Sequence, residues 1–229
     1  MSGNRGDAAD CTPEARVTKS LLGYGVIAGP FYVVASVLQG LLQPGFDFTR
    51  DSWSLLSLGQ AGWVHVVAFL VTGAMVVAAG LGVRRHVGRG PGRTAWAYLG
   101  LYGVLLLLAG VLLPDRPGSF SGHGLGHLAA GGLGFIAFAI TAFVLARRFR
   151  REGARGWAAF SVIAGVGLLL GFVAVAAGSA APAAILSFTA AVVLSWVWLS
   201  LVSVRLYGEA AAEGRIPAER RTGVPAARR

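Results

Sequence analysis

Two histidines four residues apart, His123 and His127, stand close after Asp115 and Arg116 in a chain that is poor in ionisable groups. On a helix that spacing puts both rings on one face. With a carboxylate they could hold a divalent metal such as zinc. A set of His123, His127 and Asp115 would suit metal-assisted hydrolysis, with another acid as base. Gly124 and Gly126 weaken a helix at that point. The plainer reading is a pair of polar helix-end residues, with no metal and no cofactor. A second group is Asp47, Arg50, Asp51 and Ser54. Arg50 and Arg116 could pair with an anion while Asp47 and Asp115 orient them. His65 is placed near the end of an apolar run, as His127 is, and the two could face one another. Haem needs facing axial ligands, and one such pair is fewer than haem-b bundles usually offer, so haem is disfavoured. His86 sits among arginines and is expected to be a solvated loop residue. The single cysteine, Cys11, excludes an internal disulfide or thiol pair. There is no nucleophile elbow, phosphate loop or dinucleotide fingerprint.

The elements that must position these residues are membrane helices. Of 229 residues 55% are hydrophobic and only 13% are charged, where a soluble domain carries about 25%. A span needs about 20 apolar residues. Six runs meet this, at about 20–42, 63–83, 94–113, 125–146, 157–177 and 184–204. Unbroken runs satisfy their backbone groups as helices and not as alternating barrel strands. The expected fold is all-α, a polytopic bundle of six transmembrane helices. Residues 1–18 read as a disordered cytoplasmic leader, 19–206 as the membrane domain and 207–229 as a basic disordered cytoplasmic tail. Gly25 and Gly29 in the first span, and Gly167 and Gly171 in the fifth, are spaced for close helix packing. Trp96 and Trp157 stand where an indole prefers the headgroup boundary.

The net charge of +10 does not call for nucleic acid. With the N-terminus inside, 18 of the 20 arginines and lysines fall in cytoplasmic segments, and only Arg50 and Arg116 fall outside. Positive loops stay in the cytoplasm, so both termini are expected there, in a cell membrane. The inner arginines could also meet anionic lipid headgroups. No span contains Asp, Glu, Lys or Arg, which argues against a proton relay or voltage sensor.

The stretch from 44 to 63 separates the first two spans. Its aromatics and leucines are too many for a solvated loop and too interrupted for a span. It reads as an interfacial segment over the mouth of the bundle. A short helix is expected at about 51–58, capped by Thr49 or Asp51 and stopped at Gly59, with Trp53 and Leu56 on one face. Pro44, Pro114 and Pro182 recur after each outward helix, and each returning helix ends on arginine: Arg84, Arg147 and Arg205. Three related hairpins would explain this, with polar groups gathered in the first two.

Pro44-Gly45-Phe46-Asp47, Arg50, Ser54-Leu55, Gly59 and Gly62-Trp63 resemble the first signature of the bacterial membrane family called domain of unknown function 998. Pro114-Asp115 and His123-Gly124-Leu125-Gly126-His127 resemble its second. The similarity covers about 21–205. Ala68 departs from it, standing where the family often has a polar residue. The resemblance implies a six-helix integral membrane protein and no assigned activity.

The expected function is binding or transport of a small molecule or lipid headgroup. The outward-facing pocket would be formed by Asp47, Arg50, Ser54, His65, Asp115, Arg116, His123 and His127. The alternatives are a metal-dependent hydrolase of lipid-linked substrates and a structural or assembly partner. Whether the chain is an enzyme, and its oligomeric state, are open at this stage.

Overall fold

The structure, a computed structural model, describes residues 12–214 except 89, 117 and 178–180. It contains six long helices: α1 (Pro13–Leu42), α2 (Gly62–Val87), α3 (Ala95–Val111), α4 (Gly122–Arg151), α5 (Arg155–Ala176) and α6 (Pro182–Glu213). A 3-10 helix, η1 (Trp53–Leu58), lies between α1 and α2. Five of the long helices are long and apolar enough to cross a membrane, and α3 is a shorter apolar helix.

The ends of the chain are more helical than expected. Thr12 accepts a hydrogen bond from the Ala15 N–H, and Pro13 takes the first helical position, where its missing donor is no loss. Residues 13–18, expected in the leader, are therefore helical. Residues 207–213, expected in the tail, continue α6. The expectations for 1–11, including Cys11, and for 215–229 lie outside the described residues.

The helices form a closed antiparallel ring. Each packs on its neighbours in sequence, and α6 closes on α1. Gly25 lies against Ala79 of α2 and Ser203 of α6, and Gly29 lies against the Trp196 carbonyl. Further along α1, Tyr32 meets Phe69 and Trp196. Gly73 and Gly103 press backbone to backbone between α2 and α3, where a Cβ on Gly73 would lie 2.8 Å from the Gly103 oxygen. Small residues let these helices approach without a side chain between them. Gly171 does the same against Phe188, but Gly167 has open space at its Cβ position and is no packing site.

One end of the ring is rich in arginine. There Glu209 accepts from Arg148 at 2.8 Å and Arg205 at 2.9 Å, and lies 3.1 Å from His86. The His86 side chain is only 3% exposed. It is a buried partner of Glu209 and not a solvated loop residue, because α2 runs on through it to Val87. The other end carries the loops 43–61 and 112–121.

Candidate functional site

The first loop folds back on the helix it leaves. Gly45 takes a positive φ of 79° to make the turn. Phe48 packs edge-on to Phe46 and fills the space left by Gly40. Asp47 then organises the next turn. Its Oδ1 accepts from the Thr49 N–H at 2.8 Å and hydroxyl at 2.7 Å, and its own N–H donates to Asp51 Oδ2 at 2.8 Å. The Thr49 bonds hold the Asp47 carboxyl below its ordinary range. Arg50 stands 3.8 Å from Asp47 and is 75% exposed, a surface pair of little energetic weight.

With Thr49 and Asp51 engaged in that turn, neither caps the short helix. It starts at Trp53, after Ser52, has no side-chain cap and is 3-10 and not α. Three residues per turn put Trp53 and Leu56 on one face, and both are buried in the core. Gly59 ends it in an extended conformation, its N–H donating to the Leu56 carbonyl. Gln39 of α1 anchors it from behind, with Nε2 donating to the carbonyls of Leu56 and Ala61.

The second loop is organised by Asp115. Its carboxylate accepts from the Ser121 N–H at 2.7 Å and hydroxyl at 2.6 Å. Ser121 in turn caps α4 by accepting from the Gly124 N–H at 3.0 Å. Gly124 and Gly126 do not prevent a helix here. A Cβ on Gly124 would overlap the Asp115 carboxylate, and one on Gly126 would lie 2.9 Å from Leu112. They are the contacts through which the loop reaches α4. His127 Nδ1 lies 2.9 Å from the Ala109 carbonyl and 2.8 Å from that of Leu112. Carbonyls only accept, so Nδ1 carries the hydrogen, and the ring closes the last turn of α3.

Beneath these loops lies a cavity of about 480 Å³ inside the ring, within the usual range for small-molecule sites. Tyr32, Phe69, Tyr102, Phe135 and Trp196 form its deep wall. Ser52, Ser54, Asp115, Arg116 and His127 line its mouth. A groove of about 950 Å³ lies on the other side of η1, along α1 and the start of α2. Leu55 and Arg116 border both spaces.

The structure thus brings together Ser54, Asp115, Arg116 and His127. Asp47, Arg50 and His123 line neither space; His123 is exposed on the first turn of α4. His65 is completely buried, behind the cavity wall. Its ring lies edge-on to Phe69 at 5.0 Å, and Phe69 lies edge-on to His127 at 6.1 Å. The two histidines are therefore separated by a phenyl ring and do not face one another. Neither ring nitrogen of His65 has a partner among the described residues.

Of the alternative zinc set, His127 has its Nδ1–H held by α3, Asp115 accepts through both oxygens from Ser121, and His123 stands on the first turn of α4. Among the described residues no three His, Cys, Asp or Glu side chains converge as a metal site.

Sequence reading missed Tyr32, Tyr102, Phe135 and Trp196, which an all-apolar span conceals. It also missed Gln39 and Gln43. Two amides four apart near the end of the first span were the available signal, since polar groups at that depth are costly.

A ring of apolar helices around a cavity that opens under polar loops defines a helical transmembrane protein. Residues 26–205 match the family described as "Protein of unknown function (DUF998)", and the chain belongs to that family. No curated protein and no solved structure gives a significant match.

Proposed function

We propose that all six helices span a bacterial cell membrane, that both termini are cytoplasmic, and that the cavity binds a lipid or similar amphiphile from the outer side. The arginine bias supports the orientation. The indoles at the arginine end, where Arg84 lies 4.7 Å from the ring of Trp96 and Arg205 lies 5.4 Å from that of Trp157, suit a membrane–water interface there. At 17 residues α3 is at the short limit for a span.

The observation that carries the binding reading is the polarity gradient of the cavity. An apolar chain would lie among Tyr32, Phe69, Tyr102, Phe135 and Trp196, and a polar head would meet Ser52, Ser54 and Arg116. Aromatic walls with a few convergent polar groups are what such ligands require. Arg116 has no ion-pair partner among the described residues and is the cation at the mouth, so an anionic or zwitterionic head suits it.

Gly131 gives the test. It lines the cavity and nothing lies within 4 Å of its Cβ position. Gly131→Phe fills the space without a clash at the backbone. Mass spectrometry of the purified protein is expected to find a stoichiometric amphiphile on the wild type and little on the variant. Equal occupancy in a correctly inserted variant would overturn the reading.

A further inference from the structure

The groove on the far side of η1 has a chemistry that the central cavity lacks. Its wall carries two glutamines four residues apart, Gln39 on α1 and Gln43 just past its end. Gln39 is 7% exposed, and its Nε2 donates to two carbonyls at 3.1 Å. Those carbonyls fix the orientation of the amide, because the reversed amide would set oxygen against oxygen. Gln39 Oε1 is left as a buried acceptor with no donor among the described residues. Gln43 Oε1 is also buried and unpaired, in an amide that no hydrogen bond among the described residues orients. Its amide occupies the space over Gly59, where any Cβ would collide with it. Asp51 adds a carboxylate to the same wall, and Arg116 is its cation. Leu38 and Leu42, also on this wall, are 55% and 81% exposed, so the groove opens sideways along α1.

Buried polar atoms are nearly always paired. Here the one whose orientation is fixed, Gln39 Oε1, is an acceptor, on a wall that also carries the Asp51 carboxylate. The missing partner is therefore a donor, and the neighbouring arginine and exposed leucines add an anion and an acyl chain to its description.

We propose that this groove binds a phospholipid whose head carries a primary ammonium. The ammonium donates to Gln39 Oε1, Gln43 Oε1 and the Asp51 carboxylate, and the phosphate pairs with Arg116. A primary ammonium has three donors and no acceptor, which matches three acceptors. A trimethylated head has the same charge and no donor. The proposal rests on the membrane reading above and shares Arg116 with the mouth of the cavity; its ammonium subsite belongs to the groove alone.

The experiment is a methylation series on the full chain. Phosphatidylethanolamine and its mono-, di- and trimethylated forms, with identical acyl chains, are titrated against the protein in detergent micelles, and native mass spectrometry reads the bound fraction. Affinity is expected to fall with each methyl, by about tenfold from the first lipid to the last, as expected for lost charge-assisted hydrogen bonds. Gln39→Leu and Asp51→Asn should each flatten the series. Should Gln39→Leu not fold, Asp51→Asn and the wild-type series decide alone. Gly131→Phe should leave the series intact, so a failed cavity and a failed groove give different results. Equal binding of the ethanolamine and choline lipids by the wild type would overturn the proposal. So would phosphatidylglycerol binding as tightly as phosphatidylethanolamine, which would assign the groove to phosphate alone. Soluble glycerophosphoethanolamine binding as tightly as the lipid would overturn the role of the leucines.

Discussion

Gly124→Ala sets two effects against each other, and the structure says which wins. Alanine in place of glycine within a helix ordinarily stabilises by up to about 1 kcal/mol. At 124, however, the new methyl occupies the position of the Asp115 carboxylate. Asp115 would have to leave the Ser121 N–H and hydroxyl, which it holds at 2.7 and 2.6 Å. Bonds to a charged group are worth about 1.5–3 kcal/mol each. These are exposed to solvent, so the low end applies. Disturbing the Ser121 cap removes about 1 kcal/mol more. The loss is about 4 kcal/mol against a gain of about 1, and the net is a destabilisation of about 3 kcal/mol. For a chain of this length that is about 6–12 °C in Tm. Tryptophan fluorescence on heating in detergent gives the measurement. Gly131→Ala, in the same helix with no neighbour at its Cβ, is the control and should be neutral or stabilising. If Gly124→Ala behaves like that control, Asp115 does not hold the second loop and the placement of Arg116 at the mouth loses its support.

Three further outcomes are expected. Glu209→Ala should cost about 2 kcal/mol, less than the 3–5 of a fully buried ion pair because 28% of its side chain is exposed; an unchanged melting curve would count against the hub. Asp47 has its carboxyl lowered by Thr49, so its contribution to loop order is present above the ordinary carboxylate pKa and is lost as pH falls through the lowered value. Exchange of the Thr49 amide, corrected for its intrinsic rate, should therefore be constant from about pH 8 to 5 and rise only in stronger acid; a rise near pH 6 would contradict it. Reporters active only in the cytoplasm should work when fused to either terminus, and one silent end on a normally expressed fusion would break the six-span topology.

What was legible in the sequence follows from how local each signal is. The long apolar helices were readable because lipid imposes a length and excludes charge. Gly25 and Gly29 were readable because two small residues four apart make a groove on one helix whatever packs into it. Gly167 has the same spacing with Gly171 and no neighbour, since rotation of a helix about its axis is decided by partners the local pattern does not name. For the same reason the cavity wall was hidden: nothing local tells Tyr32 or Trp196, which face inward, from Leu41 or Leu42, which do not. That His65 and His127 both stand near helix starts was readable, but not the phenyl ring of Phe69 between them. The expected cap of the short helix failed because Asp47, Thr49 and Asp51 satisfy one another first. Competition among neighbouring side chains for the same donors is invisible to a motif that considers one cap at a time.

The two ends of the ring are built differently, and the difference bears on where a ligand would enter under the proposed function. At the arginine end Glu209 and Glu152 join α2, α4 and α6 through His86, Arg148 and Arg205. The Thr12 N–H donates to the Gly214 carbonyl, tying the start of α1 to the end of α6. Every charged group in that network has a partner. At the loop end the turns of Asp47 and Asp115 satisfy only themselves and their own loops, while Trp53 Nε1 and Gln39 Oε1 stay buried and unpaired. Unpaired buried groups raise the energy of the closed arrangement, so moving η1 costs less than moving a helix. On the proposed function a ligand would enter past η1, where Leu55 and Arg116 border both groove and cavity. A ligand donating to Gln39 or accepting from Trp53 would relieve the cost that the loop end carries.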